Sequence, residues 1–147
     1  TAAARKRYMD RISGPILDRI DLHVEVEAVN FDQLSSKRKE ETSAEIRARV
    51  EKARAIQRKR FEGTGITCNA KMSPKMTKDY CLLTKEANDL LKAAFEKLDL
   101  SARAYDKILR ISRTIADLEG SKNVEVNHVA EAVQYRSLDR KYWRNEE

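Results

Sequence analysis

Helix-breaking residues are scarce in this sequence: 147 positions hold four glycines and two prolines. Aromatic residues supply only 6% of it. Sandwiches and barrels need frequent tight turns and bulky cross-strand pairs, so this scarcity argues against both. Cysteine is nearly absent. Cys68 and Cys81 stand thirteen apart with no CxxC pair, and His23 and His128 are the only histidines. No zinc site can be assembled from that set at the usual ligand spacings, and no other metal site is expected. A disulfide is chemically allowed, but two thiols fit a reduced, cytoplasmic protein better than a cross-linked secreted scaffold. No apolar run approaches the roughly 20 residues that cross a bilayer. The basic opening "TAAARKRYMD" has no apolar region after it, which excludes a signal peptide, and it lacks an initiator Met. We therefore expect a piece of a longer protein. Also missing are GxxxxGK[ST], any glycine-rich loop, HExxH and a Ser/His/Asp set in matching context. The chain is expected to be catalytically inactive alone.

What is abundant is charge. Asp, Glu, Lys and Arg make up 37% of the residues, and 30 cations against 24 anions leave a net +6. A basic excess suits contact with phosphates, of a nucleotide or a nucleic acid, and suits a well-solvated surface equally.

The pattern of apolar positions predicts a mostly α protein. Residues 1–12 suit a short helix ending before Gly14-Pro15, and "PILDR" suits one further turn. Over 20–27, Leu22, Val24 and Val26 alternate with His23, Glu25 and Glu27, the pattern of a strand with one buried face. A polar linker over 30–41 carries Lys37, Arg38 and Lys39. A long helix capped by Ser43 follows, with Ile46, Val50, Ala53, Ile56 or Gln57, and Phe61 on one face. Arg47, Arg54 and Arg58 form a basic stripe on the other, with Arg49, Lys52, Lys59 and Arg60 beside it, until Gly63 and Gly65 end the helix. "ITCNAKMSPKM" reads as an exposed connector in which Pro74 disfavours helix, and Tyr80–Leu83 as one helical turn. Three more helices are expected. One is capped by Thr84 and carries Leu90, Leu91, Ala94, Phe95 and Leu98. The next runs from Ser101 to Gly120 with Ile108, Leu109, Ile111, Ile115 and Leu118. The last starts at Asn127 and buries Val129, Ala132 and Val133, with Tyr135 at its margin. These make a small bundle of about four helices over 42–138, preceded by a strand.

Three ordered blocks carry a family resemblance: "RISGPILDRIDLHVEV", "SAEIRARVEKARAIQRKRF", and "LSARAYDKILRISRTIADLEGS" continuing to "EVNHVAEAVQYRSLDR". Together, over about residues 7–143, they resemble the C-terminal part of the Mg-chelatase-like AAA+ ATPases of the ComM/YifB type. The resemblance implies that 1–29 is the end of an ATPase core and 30–41 a linker. It makes 42–147 the helical lid domain that packs over nucleotide, with Walker A and Walker B upstream. On this view the strand is the last of the ATPase sheet, parted from its neighbours and so exposed, disordered or paired with another copy. Arg19 in "LDRID" would be the arginine finger offered to nucleotide on the next subunit, and Arg103 in "SARAYDKIL" the sensor-2 arginine. The implied parent is a bacterial, hexameric motor that uses ATP and Mg²⁺, with self and DNA as partners and no membrane. Its work would be branch migration in natural transformation.

Without the resemblance the same residues read differently. Arg19, between Asp18 and Asp21, would be a surface ion pair. Arg103 would be a first-turn cation set against the helix dipole, a mild violation that itself hints at a role. Lys37-Arg38-Lys39 and the Arg47, Arg54, Arg58 stripe read first as solvated charge and second as DNA contacts. His23 and His128 read as a surface strand residue and a helix first-turn residue. Two other functions stay open: a chelatase-type ATPase that drives Mg²⁺ insertion into a porphyrin, and a helical binding module with no nucleotide role.

Overall fold

The computed structural model describes residues 4, 7, 8, 11, 12, 14–29, 31 and 40–136, and helices dominate it. In chain order these are α1 Gly14–Arg19, α2 Ser43–Arg60, a 3₁₀ turn Asn69–Lys71, α3 Pro74–Tyr80, α4 Lys85–Lys97, α5 Ala102–Glu119 and α6 Val126–Gln134.

Helix α5 is the centre of the bundle, packing on α2, α3, α6 and the 3₁₀ turn, while α4 packs on α6. Its ends are those expected from sequence. Ser101 Oγ accepts from the Ala104 amide at 3.1 Å, and Gly120 closes the helix in the left-handed region at φ 76°. Ile108, Leu109, Ile115 and Ala116 point inward and meet Leu91 from α4, Val129 and Ala132 from α6, and Phe61, Met72 and Val124 from the connections. Each fully buried Leu, Ile or Phe here contributes about 1.5–3 kcal/mol. Thr84 caps α4, as expected, by accepting from the Ala87 amide at 3.2 Å.

A single parallel bridge, Leu83 with Val124, ties the segment before α4 to the segment before α6. Thr84 N–H donates to Val124 O at 3.0 Å and Val124 N–H to Leu82 O at 2.8 Å. The expected helical turn at Tyr80–Leu83 is therefore not there: α3 stops at Tyr80 and the chain extends to make the bridge.

The strand expected over 20–27 is not formed. Among the described residues there is no sheet, and 22–29 are irregular, with Val24, Val26 and Val29 exposed. The alternation is real, but a strand needs a neighbour to complete its ladder, and no described segment supplies one. This region is tied to the bundle by polar contacts of Asp18, Asp21 and the Arg19 and Ile20 carbonyls, by the N–H of His23, which donates to Tyr135 O at 2.9 Å, and by Leu17 of α1, 6% exposed.

Smaller corrections follow from caps. Thr42, not Ser43, caps α2 through a capping box: Glu45 N–H donates to Thr42 Oγ1 at 3.3 Å, and Thr42 N–H donates to Glu45 Oε2 at 2.7 Å. The 66–76 segment is not an exposed connector, since Asn69 and Met72 are buried. Pro74 opens α3 instead of excluding a helix, because the first helical position needs no N–H. Helix α6 begins at Val126, one residue before the expected start.

Candidate functional site

Helix α1 is too short to be stable alone, and its last carbonyls have no partners within it. The bundle supplies them. Lys107 Nζ donates to Arg19 O at 2.5 Å, and the Arg136 guanidinium donates to Ile20 O. Asp18 adds a side-chain link: its Oδ1 accepts from Ser101 Oγ, the α5 cap, at 3.0 Å. The sequence LDRID thus folds its two acids and the Arg19 carbonyl onto the first turns of α5, and the Ile20 carbonyl onto Arg136 beyond α6.

Between α1 and α5 lies a cavity of about 630 Å³. Four cations line it: Arg19, Arg103, Lys107 and Arg110. Its apolar wall is Leu22, Ile111, Ile115 and Leu118, and Tyr135 closes one side. Three of the four cations face a carboxylate. Arg103 Nη1 is 3.5 Å from Asp18 Oδ2, Arg110 Nη2 is 2.6 Å from Asp106 Oδ2, and Lys107 pairs with Asp21. Arg19 is the exception. Among the described residues no carboxylate pairs with it, and its Nη1 donates to Pro15 O of its own helix at 2.8 Å. The surface ion pair of Arg19 with Asp18 or Asp21 is therefore not formed, because both acids are drawn to the bundle.

The Tyr135 phenol is held above its ordinary pKa, first by burial and then by Glu131, to which its hydroxyl donates at 3.2 Å. It stays neutral at working pH. Asp21, Asp106 and Glu131 share the lining with the four cations, so the cavity combines a small positive excess with an apolar wall, and Arg19 is the cation in it that no described carboxylate neutralises. Among the described residues no three His, Cys, Asp or Glu side chains group as metal ligands.

The structure brings Arg19 and Arg103 to one cavity, and Arg103 is half exposed, with 53% of its side chain accessible. The other sequence candidates lie elsewhere. Arg47, Arg54 and Arg58 are exposed on α2 and line no part of it; Arg58 Nη2 sits 3.6 Å from Glu51. Lys37, Arg38 and Lys39 lie outside the described residues. His128 is a first-turn residue of α6 but is buried, its Nδ1 accepting from the Glu125 amide at 2.9 Å and its Nε2 2.8 Å from Glu119. His23 is half-buried, not a surface strand residue.

Lys107 and Arg110 are cavity residues that sequence reasoning missed. Their signal was present, since Arg103, Lys107, Arg110 and Thr114 recur at three to four residues and so share one helix face beside the apolar stripe. Asp18 and Arg136 gave no such signal. Their contact joins residues 118 positions apart, and spacing is silent at that range.

A helical unit that presents a cationic cavity at the start of its central helix belongs to a definable class. Residues 40–136 match the family described as "Magnesium chelatase, subunit ChlI C-terminal", and residues 1–34 match "Magnesium chelatase, subunit ChlI". The chain belongs to this Mg-chelatase-like family, in the group that holds ComM and YifB. It is 42% identical over 135 residues to competence protein ComM of Haemophilus influenzae, covering 91% of this chain and 26% of ComM. The YifB proteins of Escherichia coli and Salmonella typhimurium are 37% and 36% identical over the same shares. The chain thus spans about a quarter of the length of the curated relatives it matches. No helix among the described residues is long and apolar enough to cross a membrane.

Proposed function

We propose that this chain is the lid and subunit-contact part of a hexameric, cytoplasmic AAA+ ATPase that uses ATP and Mg²⁺ to drive branch migration of DNA in natural transformation. The observation that carries the reading is the placement of Arg19 and Arg103 on one cavity. Arg19 acts as the finger toward nucleotide held by the neighbouring subunit, and Arg103, on the same cavity, as the sensor-2 residue toward that same nucleotide. ATP supplies the γ-phosphoryl group on which negative charge builds. A guanidinium suits that task because it is planar, always charged and able to bond two oxygens at once. Arg103 stands at a helix N-terminus, where free amides reinforce attraction for an anion.

DNA contact is assigned to α2. Arg47 and Arg54 stand seven apart and exposed, with Arg58 one turn on. Lys37, Arg38 and Lys39 precede them. The natural-transformation part of the reading is in keeping with the name of one relative, competence protein ComM.

The test is the ATPase rate of the full-length protein with and without branched DNA. Arg19→Ala should lower a DNA-stimulated rate by at least about a hundredfold, given that fingers contribute about 10³ to 10⁵ in other phosphoryl-transfer systems. Mixing mutant into wild-type rings should reduce the rate more steeply than dilution. A rate that falls only in proportion overturns the finger role. An ATPase indifferent to DNA but stimulated by a porphyrin-metallating partner would move the assignment to chelatase chemistry. Replacing Arg47, Arg54 and Arg58 together with Ala should weaken DNA binding and cut the salt slope by about two to three, near 0.9 for each phosphate no longer neutralised.

A further inference from the structure

Asp18 does more than neighbour Arg19. Its Oδ1 accepts from Ser101 Oγ at 3.0 Å and lies 3.6 Å from Arg136 Nη2, while its Oδ2 lies 3.5 Å from Arg103 Nη1. One carboxylate on α1 therefore engages the cap of α5, an arginine on the first turn of α5, and the buried arginine that follows α6. The residue next to it in sequence is Arg19, whose own carbonyl is held by Lys107.

We propose that Asp18 is a positioning residue, fixing the Arg19 turn and Arg103 as one unit so that an anion entering the cavity meets both guanidiniums at a set spacing. This rests on the nucleotide reading above. The strengths of the three contacts are graded in the way such a role needs. The Asp18 contacts to Arg103 and Arg136 are equally long, at 3.5 and 3.6 Å, but 53% of the Arg103 side chain is accessible and none of Arg136, so solvent weakens the first and a phosphate that bonds a guanidinium through two oxygens outcompetes it. The links to Ser101 and to the buried Arg136 are not exposed to that competition. Asp18 therefore releases Arg103 to the anion while keeping α1 docked, and takes Arg103 back when the anion leaves.

The test uses the full-length protein and Asp18→Asn, which keeps an acceptor for Ser101 and removes the charge. We expect kcat about tenfold lower with KM for ATP within about twofold, since misplacement of a group by an ångström costs up to about a hundredfold. Asp18→Glu should recover part of the rate. In an Arg103→Ala background the same Asp18→Asn change should have less than about a twofold effect, because the group it positions is gone. Equal factors in the two backgrounds mean a merely structural carboxylate and overturn the proposal. Docking is read separately through hydrogen exchange at the His23 amide, bonded to Tyr135 O, whose protection should fall about tenfold in Asp18→Asn. Unchanged protection and unchanged rate overturn the clamp itself. If Arg19→Ala and Arg103→Ala leave the rate intact while His23 protection falls in Asp18→Asn, the nucleotide reading fails. Asp18 is then a structural clamp with no part in the reaction.

Discussion

Asp117 carries the heaviest electrostatic load of any single side chain in the bundle. It is buried, and it accepts from Arg60 Nη1 at 2.7 Å and again from Arg60 Nη2, from Arg113 Nε at 3.1 Å, and from Asn69 Nδ2 at 2.8 Å. Arg113 directs its remaining donors to Lys122 O at 2.8 Å and Ser121 O at 2.6 Å. Burial pulls the Arg113 guanidinium below its ordinary pKa, and Asp117 pushes it back up. Removing the shared anion strands two arginines, so Asp117→Ala should cost about 3–5 kcal/mol, read as a lower urea midpoint. Arg113 and Asp117 stand four apart, the spacing of an ion pair on one helix, but the Arg60 contact was not legible in sequence. Arg60 sat in a run of surface-looking cations on α2, and its partner lies 57 positions away on α5. Charge spacing distinguishes neighbours on one helix and says nothing about which cation a distant fold will bury. The two thiols diverge as well. Burial pushes the Cys81 thiol up to about 11, whereas Cys68 is only half-buried. A thiol reagent at pH 8 should label Cys68 in the native protein and reach Cys81 only on unfolding, because the thiolate is the reactive form.

Helices were the part that sequence rendered best, and their ends show why. Ser101 and Gly120 bound α5 as read, since a first-turn hydroxyl and a left-handed glycine are local requirements. Gly120→Ala should cost about 1 kcal/mol although space beside it is open, because the cost lies in its φ of 76°. The α2 cap was misplaced by one residue because Thr42 and Ser43 are chemically alike, and only the reach of Glu45 back to Thr42 decides between them. Hydrogen bonds from the Thr42 backbone and then its side chain hold the Glu45 carboxyl below its ordinary pKa. A lowered carboxyl pKa means that the cap is present above the ordinary value and lost as pH falls through the lowered one. Helicity of α2 should therefore drop in that acid window. Thr42→Ala should remove about 1 kcal/mol locally. Since residues 43–52 are exposed throughout, the loss should show as faster amide exchange in the first turns with an unchanged global midpoint.

At the scale of the whole molecule, two kinds of attachment coexist. The bundle is joined by apolar packing around α5, whereas α1 is joined to it chiefly through Asp18, Lys107, Asp21 and Arg136. Salt discriminates between them, because the screening length shrinks to about 3 Å at 1 M. Raising salt should speed exchange at His23 well before it alters any amide of α5. The alternation over 20–27 forms no strand among the described residues, but the exposure expected of a strand parted from its sheet is there: Val26 is 87% exposed. A period of two reports that a segment is built to lie in a sheet, and the missing ladder is a property of what stands beside it.

Among the described residues, helix α2 is gripped by the bundle at one end only. Arg60 is pinned to Asp117 and Phe61 is in the core, while the first buried side chain from the other end is Ala53. The ten residues before it, at 1.5 Å each, form a cantilever of about 15 Å. A load on Arg47 near its tip turns into torque at the fulcrum, and a tilt of about 10° there sweeps the tip through about 2.6 Å on that arm length. Whatever grips the outer turns of this beam pulls on the bundle through leverage, with Ala53 at the fulcrum and the Arg60–Asp117 contact anchoring the inner end.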